Sequence, residues 1–71
     1  MRYLIVYEKT RTGYSAFLPD IPGCVATGHS RDEVARNIRD ALGMHVTGMK
    51  EDGEKPGPAE AFADYEEIEV S

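Results

Sequence analysis

The segment Leu-Pro-Asp-Ile-Pro-Gly-Cys, residues 18–24, restricts the possible folds of this chain more than any other feature. Pro19 lacks a backbone N–H, so a strand that runs into it must end there. Pro22 fixes the φ angle that the first central residue of a type II turn needs, and Gly23 permits the positive φ of the second. The segment therefore predicts a tight reversal between two strands.

Three short stretches around this reversal have the composition of strands. Residues 2–8 are rich in aromatic and β-branched side chains, and the polar residues 9–13 can close a hairpin into a second strand at residues 14–18. Residues 24–28, which follow the reversal, are small or β-branched. Together they predict an antiparallel arrangement of three neighbouring strands.

A single amphipathic helix should follow the third strand. Ser30 and Glu33 have the spacing of a capping box, which predicts a helix that begins at Arg31 and ends near Glu51. Apolar residues then recur with a period near 3.6, which predicts packing on the sheet. These residues are Val34, Ile38, Ala41, Leu42, Val46 and Met49.

The last third of the chain contains a connection and one more predicted strand. Residues 51–58 include two Gly and two Pro and read as a surface loop. Residues 65–70 alternate apolar and acidic side chains, as an edge strand does. The fold class predicted is α+β, with one domain over residues 1–71, in two layers: an antiparallel sheet packed by one main helix, in the order β-β-β-α-β.

The small size of the chain favours self-association. With 71 residues, a lone copy should be stable by only ~3–5 kcal/mol. Ile68 and Val70 would otherwise sit near a sheet edge, so we expect a homodimer or a higher homo-oligomer.

Several classes of protein are disfavoured by composition. One Cys and two His fit neither a disulfide framework nor a cysteine-rich zinc site, and no cofactor is expected. The apolar run at residues 3–7 is too short for a signal peptide or a membrane span. A cytoplasmic protein that does not act at a membrane is therefore expected.

Charge is distributed unevenly along the chain. Residues 1–50 carry seven basic and five acidic side chains, whereas residues 51–71 carry one basic and eight acidic ones, a local net charge of −7. Such a segment is a poor surface for nucleic acid, because phosphate binding depends on Lys and Arg. It suits a basic partner, and the plain alternative is that these acids only keep a small domain soluble.

Residues with catalytic chemistry have ordinary structural interpretations. Asp20 and Asp32 could form a catalytic or metal-binding pair with Glu8 or Glu33, but Asp is common in turns and in the first turn of helices. Cys24 has no adjacent base in the sequence and is expected to be a buried, inert thiol.

The two histidines lack partners at metal-binding spacing. His45 lies on or beside the apolar stripe of the helix and is expected to be a partly buried packing residue. His29 precedes the capping Ser30 and is expected in a loop.

Residues 14–28, Tyr-Ser-Ala-Phe-Leu-Pro-Asp-Ile-Pro-Gly-Cys-Val-Ala-Thr-Gly, resemble the signature of the HicB-like antitoxin family, in which a strand runs into Pro-Asp-hydrophobic-Pro-Gly-Cys and on to Gly. The resemblance continues through residues 30–35 and through residues 53–58, where the family has Gly and then Pro-x-Pro. It spans nearly the whole chain.

This resemblance implies a domain similar to a partly degraded ribonuclease H fold. It also implies an antitoxin that binds and occludes a small, basic, double-stranded-RNA-binding-like HicA toxin, which cleaves messenger RNA. A working ribonuclease H needs a metal-binding carboxylate in the middle of its first strand, where this chain has Leu4, Ile5 and Val6. The nuclease site is therefore expected to be absent.

The chain departs from the family pattern in two places. Many members append a helix-turn-helix or ribbon-helix-helix segment that binds the operator, whereas this sequence stops at Ser71. Direct DNA binding is therefore not expected. His29 stands where Asp is frequent in the family, which removes one negative charge.

The leading hypothesis is a non-enzymatic antitoxin domain that neutralises a small basic HicA-like toxin. The alternative is a stand-alone RNA- or nucleotide-associated domain that retains only the fold, and a third hypothesis is a hydrolase built on Asp20 and Asp32 or on Cys24. The residues predicted to bind the partner are Asp20, Ile21, Pro22, Glu66, Glu67 and Glu69.

Overall fold

A computed structural model of the protein describes residues 1–70. Strands β1 (Val6–Lys9), β2 (Tyr14–Phe17) and β3 (Val25–Gly28) precede one helix, α1 (Arg31–Glu51). The three strands form an antiparallel sheet in the order β1-β2-β3. The predicted α+β class, with three strands followed by one helix, is confirmed.

The register of the sheet separates its two faces. Tyr7, Ala16 and Ala26 lie opposite one another and therefore share a face. Ala16 is buried in the core on this face, and Ala26 packs against that core. Within the described residues, α1 packs on β3 and β2 but not on β1. The first strand therefore lies outside the area that the helix covers.

The core is small and joins the turn to the helix. Val34 and Ile38, one helical turn apart, have no exposed surface. The other buried residues come from β2 and from the segment between β2 and β3, and they are Ala16, Leu18, Ile21 and Cys24. A core of this size explains why both the turn and the helix matter for stability.

Two consecutive turns form the predicted reversal. The Leu18 carbonyl accepts a hydrogen bond from the Ile21 N–H at 3.2 Å, and the Ile21 carbonyl accepts one from the Cys24 N–H at 3.2 Å. Gly23 has a φ of +84°. This is the positive φ that a type II turn requires at its second central residue, so the predicted turn is confirmed.

Both ends of the helix lie where the sequence predicts them, at Arg31 and Glu51. The Glu33 N–H donates to Ser30 Oγ at 3.1 Å. The Glu33 side chain accepts from the N–H of His29 at 2.7 Å, whereas in a regular capping box it accepts from the N–H of the capping residue, here Ser30. The Glu33 carboxylate thus reaches one residue further towards the N-terminus, and it still satisfies a free backbone N–H ahead of the helix. The helix ends at Glu51, before Gly53 with its φ of +73°.

Two predictions about strands are wrong. The predicted fourth strand at residues 65–70 is not formed: these residues are exposed and make no backbone hydrogen bond to another part of the described chain. The first strand begins at Val6 rather than at residue 2. Val6 pairs with Phe17, the last residue of β2, so residues 3–5 have no partner strand.

Candidate protein-interaction surface

Asp20 connects the turn to the C-terminal part of the chain. This half-buried residue accepts two backbone hydrogen bonds on Oδ2, from Glu60 at 3.0 Å and from Ala61 at 2.8 Å. A carboxylate that accepts two N–H bonds is a strong anchor, because hydrogen bonds to an ionised group exceed neutral ones in strength. The Asp20 side chain therefore holds a distant segment in place.

A second contact fixes the same connection nearer to the helix. The hydroxyl of Tyr3 donates to the carbonyl oxygen of Gly57. Pro56 and Ala61 are half-buried on either side of this stretch. The chain from residue 56 to residue 61 is thus held against the body of the domain at both ends.

From residue 62 to residue 70 the described chain makes no hydrogen bond to another segment, and the Tyr65 N–H donates only to its neighbour Asp64. We call residues 62–70 the C-terminal arm; all of them are exposed. The arm carries four large apolar side chains that are 79–96% exposed, namely Phe62, Tyr65, Ile68 and Val70. It also carries Glu66, Glu67 and Glu69. Apolar side chains at this density are unusual on the surface of a monomer and indicate an interaction surface.

The described residues form an elongated molecule. The radius of gyration is 14.4 Å, whereas a compact domain of this length has about 11 Å. The principal extents of 54, 27 and 15 Å agree with an elongated shape.

A groove lies between β1 and the start of the helix. We call it the edge groove; its volume is about 780 Å³. Its lining includes residues 4–9, the helix residues Arg31, Val34 and Ala35, and residues 63–65 of the arm. Because β1 is the terminal strand of the sheet, the backbone along its outer edge is unpaired in the described residues. Tyr7, 45% exposed, is part of this open surface.

The predicted partner-binding residues lie in three different environments. Glu66, Glu67 and Glu69 are exposed on the arm, and Pro22 is exposed in the turn. Asp20 is held by its two backbone hydrogen bonds. Ile21 is only 2% exposed. Its side chain fills the core and leaves little surface for a partner.

The described residues offer little for metal or nucleophilic chemistry. Residues 1–70 contain no group of three or more His, Cys, Asp or Glu side chains placed to hold a metal ion. Cys24 is buried, as predicted, and burial raises the pKa of its thiol, which favours the unreactive protonated form. His45 is half-buried, also as predicted. No helix in residues 1–70 has the length and apolar character needed to cross a membrane.

The sequence did not predict the hydrogen bonds that hold residues 57–61, the segment that leads into the arm. Tyr3 and Gly57 are 54 positions apart, and Asp20 and Ala61 are 41 positions apart. No local pattern signals such pairs. The presence of Asp between two prolines indicates a turn, but not which N–H groups its carboxylate accepts.

Comparison with known proteins agrees with this arrangement. The family described as "HicB_like antitoxin of bacterial toxin-antitoxin system" matches residues 3–69. The chain belongs to the HicB-like antitoxin family. This confirms the resemblance carried by residues 14–28, and the match extends over the helix and nearly the whole arm.

Curated relatives of this HicB-like chain include longer proteins. An uncharacterized 14.9 kDa protein of Haemophilus phage HP1 is 37% identical over 70 residues, which make up 94% of this chain and 53% of the phage protein. Antitoxin HicB 2 of Photorhabdus laumondii is 38% identical over 42 residues, 59% of this chain and 30% of that antitoxin. The chain thus spans about half the length of the phage relative, and less of the antitoxin.

A solved structure shares the fold of the HicB-like domain. A chain of a structure titled "HicA3 and HicB3 toxin-antitoxin complex" superposes with a TM-score of 0.70 and 28% sequence identity. The match covers 83% of this chain and 70% of that chain. The sheet and the helix described above are therefore the architecture of a known toxin–antitoxin component.

Proposed function

We propose that this HicB-like domain is a non-enzymatic antitoxin that binds and neutralises a small, basic HicA-type toxin, an enzyme that cleaves messenger RNA. The observation that carries the proposal is the C-terminal arm, in which exposed acidic and apolar side chains occur together. Membership of the antitoxin family and the fold shared with a chain of a HicA3–HicB3 complex support it.

The charge of the arm suits a basic partner. The arm has four acidic and no basic side chains and belongs to residues 51–71, whose net charge is −7; this charge accelerates the encounter with a positively charged protein. Phe62 and Tyr65 are 88% and 96% exposed and offer aromatic contacts of the kind that hold protein interfaces together. The acids thus set the association rate, and the apolar side chains slow dissociation.

The turn at residues 18–24 has an indirect part in this proposal. Asp20 holds Ala61 and so fixes the point at which the arm leaves the domain. Pro22 is exposed beside this anchor and is the turn residue that we propose touches the toxin. Since the toxin's substrate is messenger RNA, we place the encounter in the cytoplasm.

Binding kinetics with a purified HicA-type toxin test the charge argument. The variant E66A/E67A/E69A should associate at least several-fold more slowly at low salt, with a smaller change in dissociation, and the difference should shrink at high salt. The variant D40A/E51A/E54A removes the same charge from exposed positions outside the arm and is the matched control. Equal rates for the two variants would contradict a role for the arm.

Inhibition of the toxin tests the function itself. Cleavage of messenger RNA by the toxin should stop when the antitoxin is equimolar, and the antitoxin alone should show no nuclease activity with Mg²⁺ or Mn²⁺. Unchanged cleavage in the presence of excess antitoxin would exclude neutralisation. Metal-dependent cleavage by this chain that disappears in Asp20→Asn would favour the hydrolase, and salt-sensitive RNA affinity would favour the RNA-associated domain.

A further inference from the structure

The outer face of α1 carries a groove of its own. The inner face of the helix packs on β2 and β3 and buries Val34 and Ile38. We call the outer depression the helix groove; its volume is about 650 Å³, and all its lining residues belong to α1, between Arg39 and Glu51. The arm lines the edge groove beside residues 31–35 but not the helix groove. This surface is therefore separate from the one proposed to bind the toxin.

A projection and a depression lie side by side in the middle of the helix groove. Met44 is 75% exposed. The preceding Gly43 has no side chain, and an added Cβ there would have no atom within 4 Å. The flexible, unbranched side chain of Met fills irregular gaps well. A surface with both features in neighbouring positions can pack against a copy of itself.

A two-fold axis between residues 43 and 44 matches the helix groove to itself. In two antiparallel helices, residues at equal distances on opposite sides of the axis face each other. Met44 then faces Gly43 of the second copy. The other lining residues from 39 to 48 also face one another, Arg39 with Gly48 and Asp40 with Thr47. The helix groove is therefore complementary to itself, as an isologous interface requires.

The charges at the two ends of this face select the antiparallel arrangement. Glu51, the last lining residue, faces Arg36 of the second copy, each about 11 Å from the axis. Arg36 lies on the same face because it precedes Asp40 by four positions. Within one chain, Arg36 and Glu51 are roughly 22 Å apart along the helix and cannot pair. Two copies thus form one opposite-charge pair at each end, whereas a parallel arrangement would place like charges together.

We propose that α1 pairs antiparallel with α1 of a second copy through the helix groove. Met44 packs over Gly43 of the second copy, and Arg36 of each copy pairs with Glu51 of the other. The homodimer expected from the small size of the chain then forms through the helix rather than through the end of the sheet. Exposed ion pairs contribute little energy but fix orientation, so the dimer is weak and its geometry is specific.

Sedimentation equilibrium at low salt tests this dimer without any toxin, so its outcome is separate from that of the proposed function. The wild type should dimerise reversibly over the micromolar to millimolar range. Arg36→Glu and Glu51→Arg each place like charges at both ends and should raise the dissociation constant at least tenfold. The double variant R36E/E51R exchanges the charges and should restore the wild-type value. R36E/E69R has the same net charge but places its new Arg on the arm, so it should remain about as weak as Arg36→Glu.

Isotope-filtered NMR on a mixture of labelled and unlabelled copies identifies the pairing. Contacts between the Met44 methyl group of one copy and Gly43 of the other are the expected result. Arg36 and Glu51 are exposed, so circular dichroism should show an unchanged helix in every variant. A wild type that stays monomeric up to millimolar concentration would overturn the proposal. A double variant as weak as the single ones would also overturn it, as would contacts between copies that involve only the sheet or the arm.

Discussion

Asp20 Oδ2 lies 2.8 Å from the backbone nitrogen of Ala61, 41 positions later in the chain. This hydrogen bond joins the turn that shapes the sheet to the segment from which the arm extends. The same oxygen accepts the N–H of Glu60 at 3.0 Å. The Pro-Asp-hydrophobic-Pro-Gly-Cys pattern thus has two structural roles, a chain reversal and an anchor for the arm.

Asp20→Ala should release this anchor. Loss of two hydrogen bonds to a half-buried carboxylate should lower the free energy of unfolding by about 1–2 kcal/mol. The amides of Glu60 and Ala61 should exchange faster with solvent, which NMR can follow residue by residue. Asp64→Ala is the control, because it removes the same charge but only a local bond to the Tyr65 N–H. Unchanged exchange at Ala61 would contradict the anchor.

Gly23→Val should destabilise the reversal. At a φ of +84°, a β-branched side chain is strained, and we expect a loss of more than ~1 kcal/mol in the free energy of unfolding. Steric crowding does not cause this loss of stability, because a Cβ at position 23 would meet only His45 Cε1, at 3.9 Å. Chemical denaturation measures the effect, and an unchanged midpoint would argue against the turn.

Two other glycines should respond in opposite directions to alanine. Gly48 lies inside α1 with no atom within 4 Å of an added Cβ, so Gly48→Ala should stabilise by up to ~1 kcal/mol. At Gly28 the added Cβ would lie 2.6 Å from the Val34 nitrogen, so Gly28→Ala should force β3 away from the helix and destabilise. Thermal melting of both variants checks the pair, and a shift of the same sign in both would contradict the packing.

Stability should depend on the Cys24 thiol at alkaline pH. Burial raises the pKa of this thiol above its ordinary value of 9.0, so the folded state disfavours the thiolate. The contribution to stability is therefore fully present below pH 9 and is lost as the pH rises through the folded pKa. The difference in unfolding free energy between the wild type and Cys24→Ala should shrink above pH 9 in urea titrations. A constant difference would mean that the thiol is not desolvated.

The local elements of this fold are predictable because local chemistry sets them. Ser30 caps the helix, Gly53 follows its end, and the turn at Gly23 separates β2 from β3. Each depends on backbone geometry within a few residues. Membership of the antitoxin family was equally accessible, because the residues that carry the resemblance are contiguous.

The candidate surface was only partly predictable. The acidic character of Glu66, Glu67 and Glu69 is a property of composition, and their exposure agrees with it. The burial of Ile21 does not follow from composition, because an apolar residue between two prolines can face either the core or solvent. Here it faces the core because the two consecutive turns direct residue 21 towards Val34 and Ile38.

The sequence by itself determined the three strands, the capped helix, the Pro-Gly reversal and the acidic arm. Only the tertiary structure decided that Asp20 holds Ala61, that Ile21 is buried and that residues 65–70 lack a partner in the described chain. The physical reason is the separation in sequence between the groups that interact. Caps and turns are satisfied by neighbours in sequence, whereas a strand and a long-range hydrogen bond need a second backbone, whose position depends on how the whole chain packs.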